Sequence, residues 1–198
     1  MKIWDNSYSE ANQESFVLAM TQNKKFGVYV EIGASHPTIN SNTYLLETQF
    51  QWTGLSLEIR ESVCENFNLV RKNKCIVADA KKFNYKKHFK ENNFPKKFDY
   101  LQLDVEPAYN TFFTLLKFPL YAYKPLVITF EHDKYINNKN WIIQILAFCY
   151  LSAFGYKRLV KNVIPKNDFQ SYKVFEDWYI KAKRREVKFY RLLFRKEK

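Results

Sequence analysis

Acidic side chains lie at or just after the ends of five short apolar segments of this sequence. They are Glu31, Glu58, Asp79, Asp104 and Glu131. A carboxylate accepts hydrogen bonds from hydroxyl and amino groups, and a pair of carboxylates can also move a proton or bind a hard cation. If the segments are parallel strands, these acids meet at one edge of the sheet, where open α/β sheets bind their ligands. The sequence therefore predicts one polar site built from separate parts of the chain.

The segments that precede these acids recur about every 20 to 27 residues, which leaves room for a helix between successive strands. This alternation predicts an α/β fold with a Rossmann-like, doubly wound, mostly parallel sheet in a single domain. The five predicted strands are 28–32, 55–58, 75–78, 100–104 and 126–130.

The last third of the chain is less regular. We predict a buried helix over 141–154, a strand over 156–160 and a further strand near 172–175, because apolar residues recur there with helical or strand spacing. The final stretch fits either a helix or a strand. We assign 1–180 to the domain and 181–198 to a basic C-terminal extension.

Composition excludes several classes of protein. The chain has 198 residues, of which 46% are hydrophobic, with only four Gly and six Pro, so collagen-like and linker-rich classes are excluded. No window reaches the roughly 18 uninterrupted apolar residues of a membrane span, and the N-terminus lacks a secretory pattern. The three cysteines form no CxxC pair, which argues against a zinc ribbon. We expect a cytoplasmic protein with no membrane partner.

Positive charge is concentrated in two stretches. The net charge is +12, with ten basic residues in 71–97 and nine in 181–198. Clustered Lys and Arg are typical of proteins that bind a phosphate backbone, so nucleic acid is one candidate partner. The alternative is a solvated, lysine-rich surface that only aids solubility.

One glycine follows the first predicted strand. Sites for dinucleotides commonly use three glycines to approach the pyrophosphate, whereas a nucleoside without pyrophosphate needs only one tight turn. Gly33 permits close approach, and the amides of the turn that follows are placed to meet a carboxylate. Glu58 is placed to accept from two ribose hydroxyls, with Asp79 and Ala80 beside the base.

Four stretches of sequence together resemble one family. They are VYVEIGA at 28–34, SNTYLLE at 41–47, WTGLSLE at 52–58 and FDYLQLDVE at 98–106. In this order the chain resembles the FkbM-type class I methyltransferases from about Tyr8 to Tyr179. The resemblance implies a seven-stranded sheet and S-adenosylmethionine as cofactor. It also implies methyl transfer to a hydroxyl of a sugar, a small metabolite or a glycan. The residues that it places around the cofactor are Glu31, Gly33, Ala34, Ser35, Asn42, Glu58, Asp79, Ala80 and Asp104.

Three side chains are candidates for the chemistry of that transfer. His132 follows the fifth strand and is a candidate general base, as is Glu106. Asp104 would orient the cofactor amine or the acceptor hydroxyl. Asp104 with the 131–133 group is also similar to the magnesium site of catechol-type O-methyltransferases, but we favour the reading without a metal and assign no metal ligands.

Two other functions stay open. Methylation of an RNA ribose is also O-methylation, and the lysine-rich segments with nearby aromatic residues suit a polynucleotide. A basic nucleic-acid-binding module that kept the fold without catalysis is the non-enzymatic alternative. The sequence does not determine the acceptor or the oligomeric state.

Overall fold

A computed structural model describes residues 7–166 and 173–195, which form a seven-stranded sheet with helices on both faces. The strand order is β3-β2-β1-β4-β5-β7-β6; β1 to β5 are parallel, and β7 runs antiparallel to both β5 and β6. The strands are Val28–Ile32 (β1), Thr53–Glu58 (β2), Cys75–Val77 (β3), Lys97–Leu103 (β4), Lys124–Glu131 (β5), Tyr156–Val163 (β6) and Glu176–Lys181 (β7).

Helices connect the strands, and one short 3₁₀ turn at Asn138–Asn140 precedes the sixth helix. The α-helices are Gln13–Met20 (α1), Tyr44–Phe50 (α2), Glu61–Val70 (α3), Tyr85–Glu91 (α4), Ala108–Lys117 (α5), Trp141–Ala153 (α6) and Arg184–Arg195 (α7). Within the described ranges, no helix is long and apolar enough to cross a membrane.

The core lies in two layers, one on each face of the sheet. Successive side chains of a strand point to opposite faces. Val30 and Ile32 of β1 therefore pack with Leu101 of β4 in one layer, while Tyr29 packs with Tyr100 in the other. Burial on both faces explains why these strands are almost continuously apolar or aromatic, as parallel strands usually are.

The predicted fold is confirmed, including the seven-stranded, mostly parallel sheet. Each of the first five predicted strands overlaps an observed one, and the predicted helix and strand after them correspond to α6 and β6. The predicted strand near 172–175 is wrong for its described residues, because Lys173 to Phe175 precede β7, which begins at Glu176; residue 172 lies outside the described ranges. Residues 184–195, left open by the sequence, form α7. The domain boundary at 180 stays a prediction.

Candidate functional site

A cavity of about 590 Å³ opens at the carboxyl ends of the parallel strands. Each of β1 to β5 contributes at least one wall residue from its end or from the loop that follows. The predicted residues that line it are Gly33, Ser35, Glu58, Asp79, Ala80, Asp104 and Glu106. Most of the predicted site residues therefore lie around one cavity, as expected for side chains at the carboxyl ends of neighbouring parallel strands.

Gly33 joins the ends of β1 and β4. Its φ is +84°, a conformation that side-chain-bearing residues rarely adopt. A Cβ at this position would collide with the backbone carbonyl oxygen of Asp104. The Gly33 N–H donates to the Leu57 carbonyl at 2.9 Å, and the Asp104 N–H donates to the Ile32 carbonyl at 3.0 Å. Only glycine lets these three strand ends meet so closely.

Glu58 ends β2, and its carboxylate is held by its neighbours. The Ser35 N–H donates to Oε2 at 3.1 Å, and the N–H groups of Ile59 and Arg60 donate to Oε1 at 3.0 Å. The Arg60 guanidinium adds bonds of 3.0 Å to Oε1 and 3.3 Å to Oε2. Burial would raise the pKa of Glu58, but the bonds from Arg60 and Ser35 outweigh it and lower that pKa. Glu58 is therefore a fixed, ionised acceptor.

Asp79 follows β3 and faces the outer end of the cavity. Its Oδ1 accepts from the Lys81 N–H at 3.0 Å, and Lys82 Nζ lies 3.8 Å from Oδ2. The Asp79 side chain is 24% exposed, so part of its carboxylate remains open to a ligand. Ala80 provides a small apolar surface beside it.

Asp104 and Glu131 line the inner end of the cavity, and Asp133 behind them completes a chain of three carboxyl groups. Glu131 is hydrogen-bonded to both Asp104 and Asp133. Burial raises the pKa of Asp104 to about 7; the bond from Glu131 offsets this in part, and the charges of Asp133, Glu106 and Glu10 add to it. Burial, followed by the charges of Asp104 and Asp133, raises the pKa of Glu131 well above its usual value. The chain therefore retains a proton near neutral pH.

This carboxyl chain has no cationic partner in the part of the protein that the structure describes. No Lys or Arg side chain there forms an ion pair with Asp104, Glu131 or Asp133. Asp133 is only 3% exposed, and its Oδ1 has no hydrogen-bond partner. Because uncompensated buried charge is costly, the arrangement favours a ligand that brings positive charge.

The described ranges contain no group of three or more His, Cys, Asp or Glu side chains placed to hold a metal ion. Asp104, Glu131 and Asp133 are hydrogen-bonded to one another instead, with Glu131 in the middle. The loop beside them is fixed, since Thr111 Oγ1 accepts from the Val105 N–H and donates to the Val105 carbonyl, both at 2.9 Å. This holds Glu106 at the rim, where its side chain is exposed.

His132 is not at the cavity. It is fully buried, with Nε2 3.2 Å from Gln144 Nε2 and 3.5 Å from Asp177 Oδ1. Side chains alternate at the end of β5, so Glu131 faces the cavity and His132 points towards α6 and β7. We therefore do not retain His132 as the general base.

Three predicted cofactor residues also lie outside the cavity wall. Glu31 shares the sheet face of Tyr29, where its oxygens accept from Thr43 Oγ1 at 2.9 Å and Ser56 Oγ at 2.7 Å. Ala34 packs in a small apolar cluster with Cys64. Asn42 precedes α2, whose N-cap position is Thr43. Strand alternation determines where the Glu31 side chain lies, and core packing determines where Ala34 lies.

Sequence reasoning did not select several residues that line the cavity. Arg60, Asn110 and Tyr135 are near the motifs in sequence, but Glu10 comes from a distant loop. Nothing in their local sequence marks them, because their position depends on how the loops pack. Glu131 was noted as a strand-end acid but was not selected as a site residue.

No protein-family model matches the sequence, and no curated protein is similar to it in sequence. Solved structures are similar in fold. NodS, an N-methyltransferase from Bradyrhizobium japonicum, has a TM-score of 0.56 at 10% identity, over 90% of this chain and 99% of NodS. Its complex with S-adenosyl-l-homocysteine gives 0.54 at 10% identity, over 91% of each chain. A candidate rRNA-methylase from Clostridium thermocellum gives 0.55 at 10% identity, over 89% of this chain and 100% of the other. The chain therefore has the Rossmann-like fold of class I methyltransferases.

Proposed function

We propose that the protein is an S-adenosylmethionine-dependent methyltransferase and that the 590 Å³ cavity holds the cofactor. The carboxyl chain of Asp104, Glu131 and Asp133 carries this proposal. S-adenosylmethionine bears a sulfonium and an ammonium group, and both are cations. A carboxyl chain that lacks its own cation, with Asp133 buried and Asp104 and Glu131 half-buried, is suited to receive them.

The other walls suit the remaining parts of this cofactor. Asp79 and Ala80 would flank the adenine, and Glu58 would accept from the ribose hydroxyls. The glycine turn at Gly33 leaves room for the methionine end beside Asp104. The ligand would then lie across β3, β2, β1 and β4 in that order, with its charged end at the carboxyl chain.

Binding of ribose requires Arg60 to move. Glu58 already accepts five hydrogen bonds, while a carboxylate offers about four lone-pair sites. The Arg60 side chain is 60% exposed, and an ion pair of this kind contributes about 0–1 kcal/mol. Its displacement is therefore inexpensive, and the backbone N–H groups continue to hold Glu58 in place.

When bound, the cofactor supplies a methyl group activated by the sulfonium. The protein's contribution is to position the acceptor oxygen and to accept its proton. Asp104, with a pKa of about 7, is a base suited to neutral pH, and Glu131 shares its proton. Glu106 at the rim is the second candidate base.

We propose a hydroxyl of a sugar or small metabolite as the acceptor, within an FkbM-like branch of this fold and in the cytoplasm. The resemblance of the four sequence stretches supports this assignment. The base beside the charged end of the cavity is compatible with it. Methylation of an RNA ribose is the alternative, and the candidate rRNA-methylase among the similar structures favours testing it.

Calorimetric titration with S-adenosylmethionine and S-adenosylhomocysteine tests the proposal. We expect both to bind, and we expect Asp104→Asn to weaken S-adenosylmethionine by about tenfold or more, since a charge-assisted contact is lost. S-adenosylhomocysteine lacks the sulfonium and should be affected less. Glu91→Gln, at an exposed helical position, is the control. Failure of the unmodified protein to bind either compound would contradict the proposed function.

A further inference from the structure

A second, smaller cavity of about 240 Å³ adjoins the first. The two share Glu10, Glu131 and Tyr135 as wall residues. The other described residues of its wall lie outside the proposed cofactor site; they are Asn40, Pro165, Lys166, Lys173 and Phe175. The shared wall makes the two cavities neighbouring compartments of one cleft.

The position of the second cavity along the sheet edge indicates what it could bind. The proposed cofactor runs from β3 to β4, with its reactive end at Asp104. The second cavity lies beyond that end, at β5 and the connection from β6 to β7. An acceptor must approach the activated methyl from the side opposite the departing sulfur. The second cavity lies on the side of β4 away from the nucleoside end.

Two cations distinguish the second cavity from the carboxyl chain. Lys166 is anchored at both ends: its N–H donates to the Glu10 carbonyl at 2.9 Å, and its Nζ donates to the Ser7 carbonyl at 2.8 Å. Because an ammonium has three donors, Nζ keeps donors for a ligand. Lys173 lies in the same wall, and Phe175, which is 3% exposed, and Pro165 provide the apolar part.

The polarity of this cavity therefore changes across a short distance. Lys166 and Lys173 lie on the side of the β6–β7 connection, and the acids Glu10 and Glu131 lie in the wall that is shared with the cofactor cavity. A ligand that fits both sides has an anionic group at one end and a proton-donating group at the other. Volume limits its size, since 240 Å³ is below the roughly 300–1,000 Å³ of sites for drug-sized ligands.

We propose that the second cavity binds the methyl acceptor, and that this acceptor is a small hydroxylated anion, a carboxylate or phosphate ester, held by Lys166 and Lys173. This inference rests on the proposed methyltransferase function and specifies its substrate class. It disfavours a polynucleotide or glycan chain as the enclosed group.

The transfer then balances without a further reactant. The acceptor oxygen forms a bond to the methyl carbon, and the carbon–sulfur bond breaks with its electron pair passing to sulfur. The sulfonium becomes a neutral thioether. The hydroxyl proton passes to the ionised member of the Asp104 and Glu131 pair, and the methylated acceptor keeps its anionic group on the lysines.

Binding of matched probes tests the inference. The probes are 3-hydroxybenzoate and the neutral 3-hydroxybenzyl alcohol, titrated calorimetrically into protein saturated with S-adenosylhomocysteine. We expect the anion to bind about tenfold tighter, and Lys173→Gln or Lys166→Gln to remove that preference, because each loses a charge-assisted contact. Lys173→Arg should retain it. Lys157→Gln, at a lysine in a separate surface groove, is the matched control.

The outcomes separate the two proposals. If S-adenosylhomocysteine binds the unmodified protein and all variants, but the anion has no preference over the alcohol or fails to bind up to its solubility limit, the acceptor inference is overturned and the proposed function stands. An unchanged preference in both Gln variants also overturns it. If S-adenosylhomocysteine does not bind the unmodified protein, the proposed function itself fails.

Discussion

Two groups of buried carboxyls in this protein differ in how their charge is balanced. The first group lies at α2, which connects β1 to β2. Arg71 donates to Glu47 Oε2 at 2.9 Å and to Thr43 Oγ1 at 2.9 Å. Thr43 in turn donates to Glu31. The Arg71 side chain is fully buried. At the strand ends, Asp104 and Glu131 pair only with other acids among the described residues.

The difference distinguishes carboxyls that stabilise the fold from carboxyls that are available to a ligand. A buried carboxylate that has its own guanidinium and hydroxyl donors is complete within the protein. A chain of carboxyls that must share protons is complete only when a cation arrives. Burial and acidity alone therefore do not identify a ligand-binding residue; a carboxyl that also lines an open cavity and has no internal counter-charge is the better candidate.

The largest expected effect comes from breaking the balanced group. Arg71→Met removes the cation and leaves Glu47 and Glu31 buried without it. We expect the free energy of unfolding, measured by urea denaturation, to fall by about 3–5 kcal/mol. Adding Glu47→Gln to Arg71→Met should recover part of the loss. An effect below about 1 kcal/mol would show that the network adds little to stability.

The unbalanced group should respond in the opposite direction. The folded-state pKa of Asp104 is raised to about 7, so this carboxyl favours the fold at low pH, and the benefit is lost as pH rises through about 7. Asp104→Asn should therefore increase the free energy of unfolding at pH 8 by about 1–2 kcal/mol, and by less at pH 5, where the cost of the carboxyl is only partly developed. Urea denaturation of both proteins at the two pH values measures this. Destabilisation at pH 8 would contradict the proposed cost.

Binding of a cation should convert the unbalanced group into a balanced one. S-adenosylmethionine favours the ionised carboxyls and should release a proton from the Asp104 and Glu131 pair. Its affinity should increase by about tenfold between pH 6 and pH 8. Titration in two buffers of different ionisation enthalpy measures the released proton directly. Equal heats in both buffers would argue against the role of this pair.

The sequence predicted the sheet well because strand segments are apolar on both faces and end at acids or glycine. It placed Glu58, Asp79 and Asp104 correctly around one cavity for the same reason. The sequence did not distinguish Glu31 from these three residues, because the side chains that donate hydrogen bonds to it, Thr43 and Ser56, belong to other parts of the chain. Glu10 was not identifiable either, because loop packing alone brings it to the cavity.

The smallest expected effect concerns an ion pair at the rim. Arg60→Gln frees the Glu58 carboxylate from the guanidinium while its backbone donors remain. We expect S-adenosylhomocysteine to bind up to about fivefold tighter, since the exposed pair contributes at most about 1 kcal/mol. Lys87→Gln, which removes an exposed pair on α4, should leave the affinity unchanged. Weaker binding in Arg60→Gln would show that Arg60 contacts the ligand.

The reversed direction of β7 has an evolutionary consequence. Val163 at the end of β6 pairs with Glu176 at the start of β7, so the two ends of the connection between these strands lie side by side in the sheet. A loop anchored in this way can change in length or composition without altering strand register. Under the proposed function, new substrate preferences would therefore arise by exchange of this one hairpin connection, while the cavity at the ends of β1 to β5 is inherited unchanged.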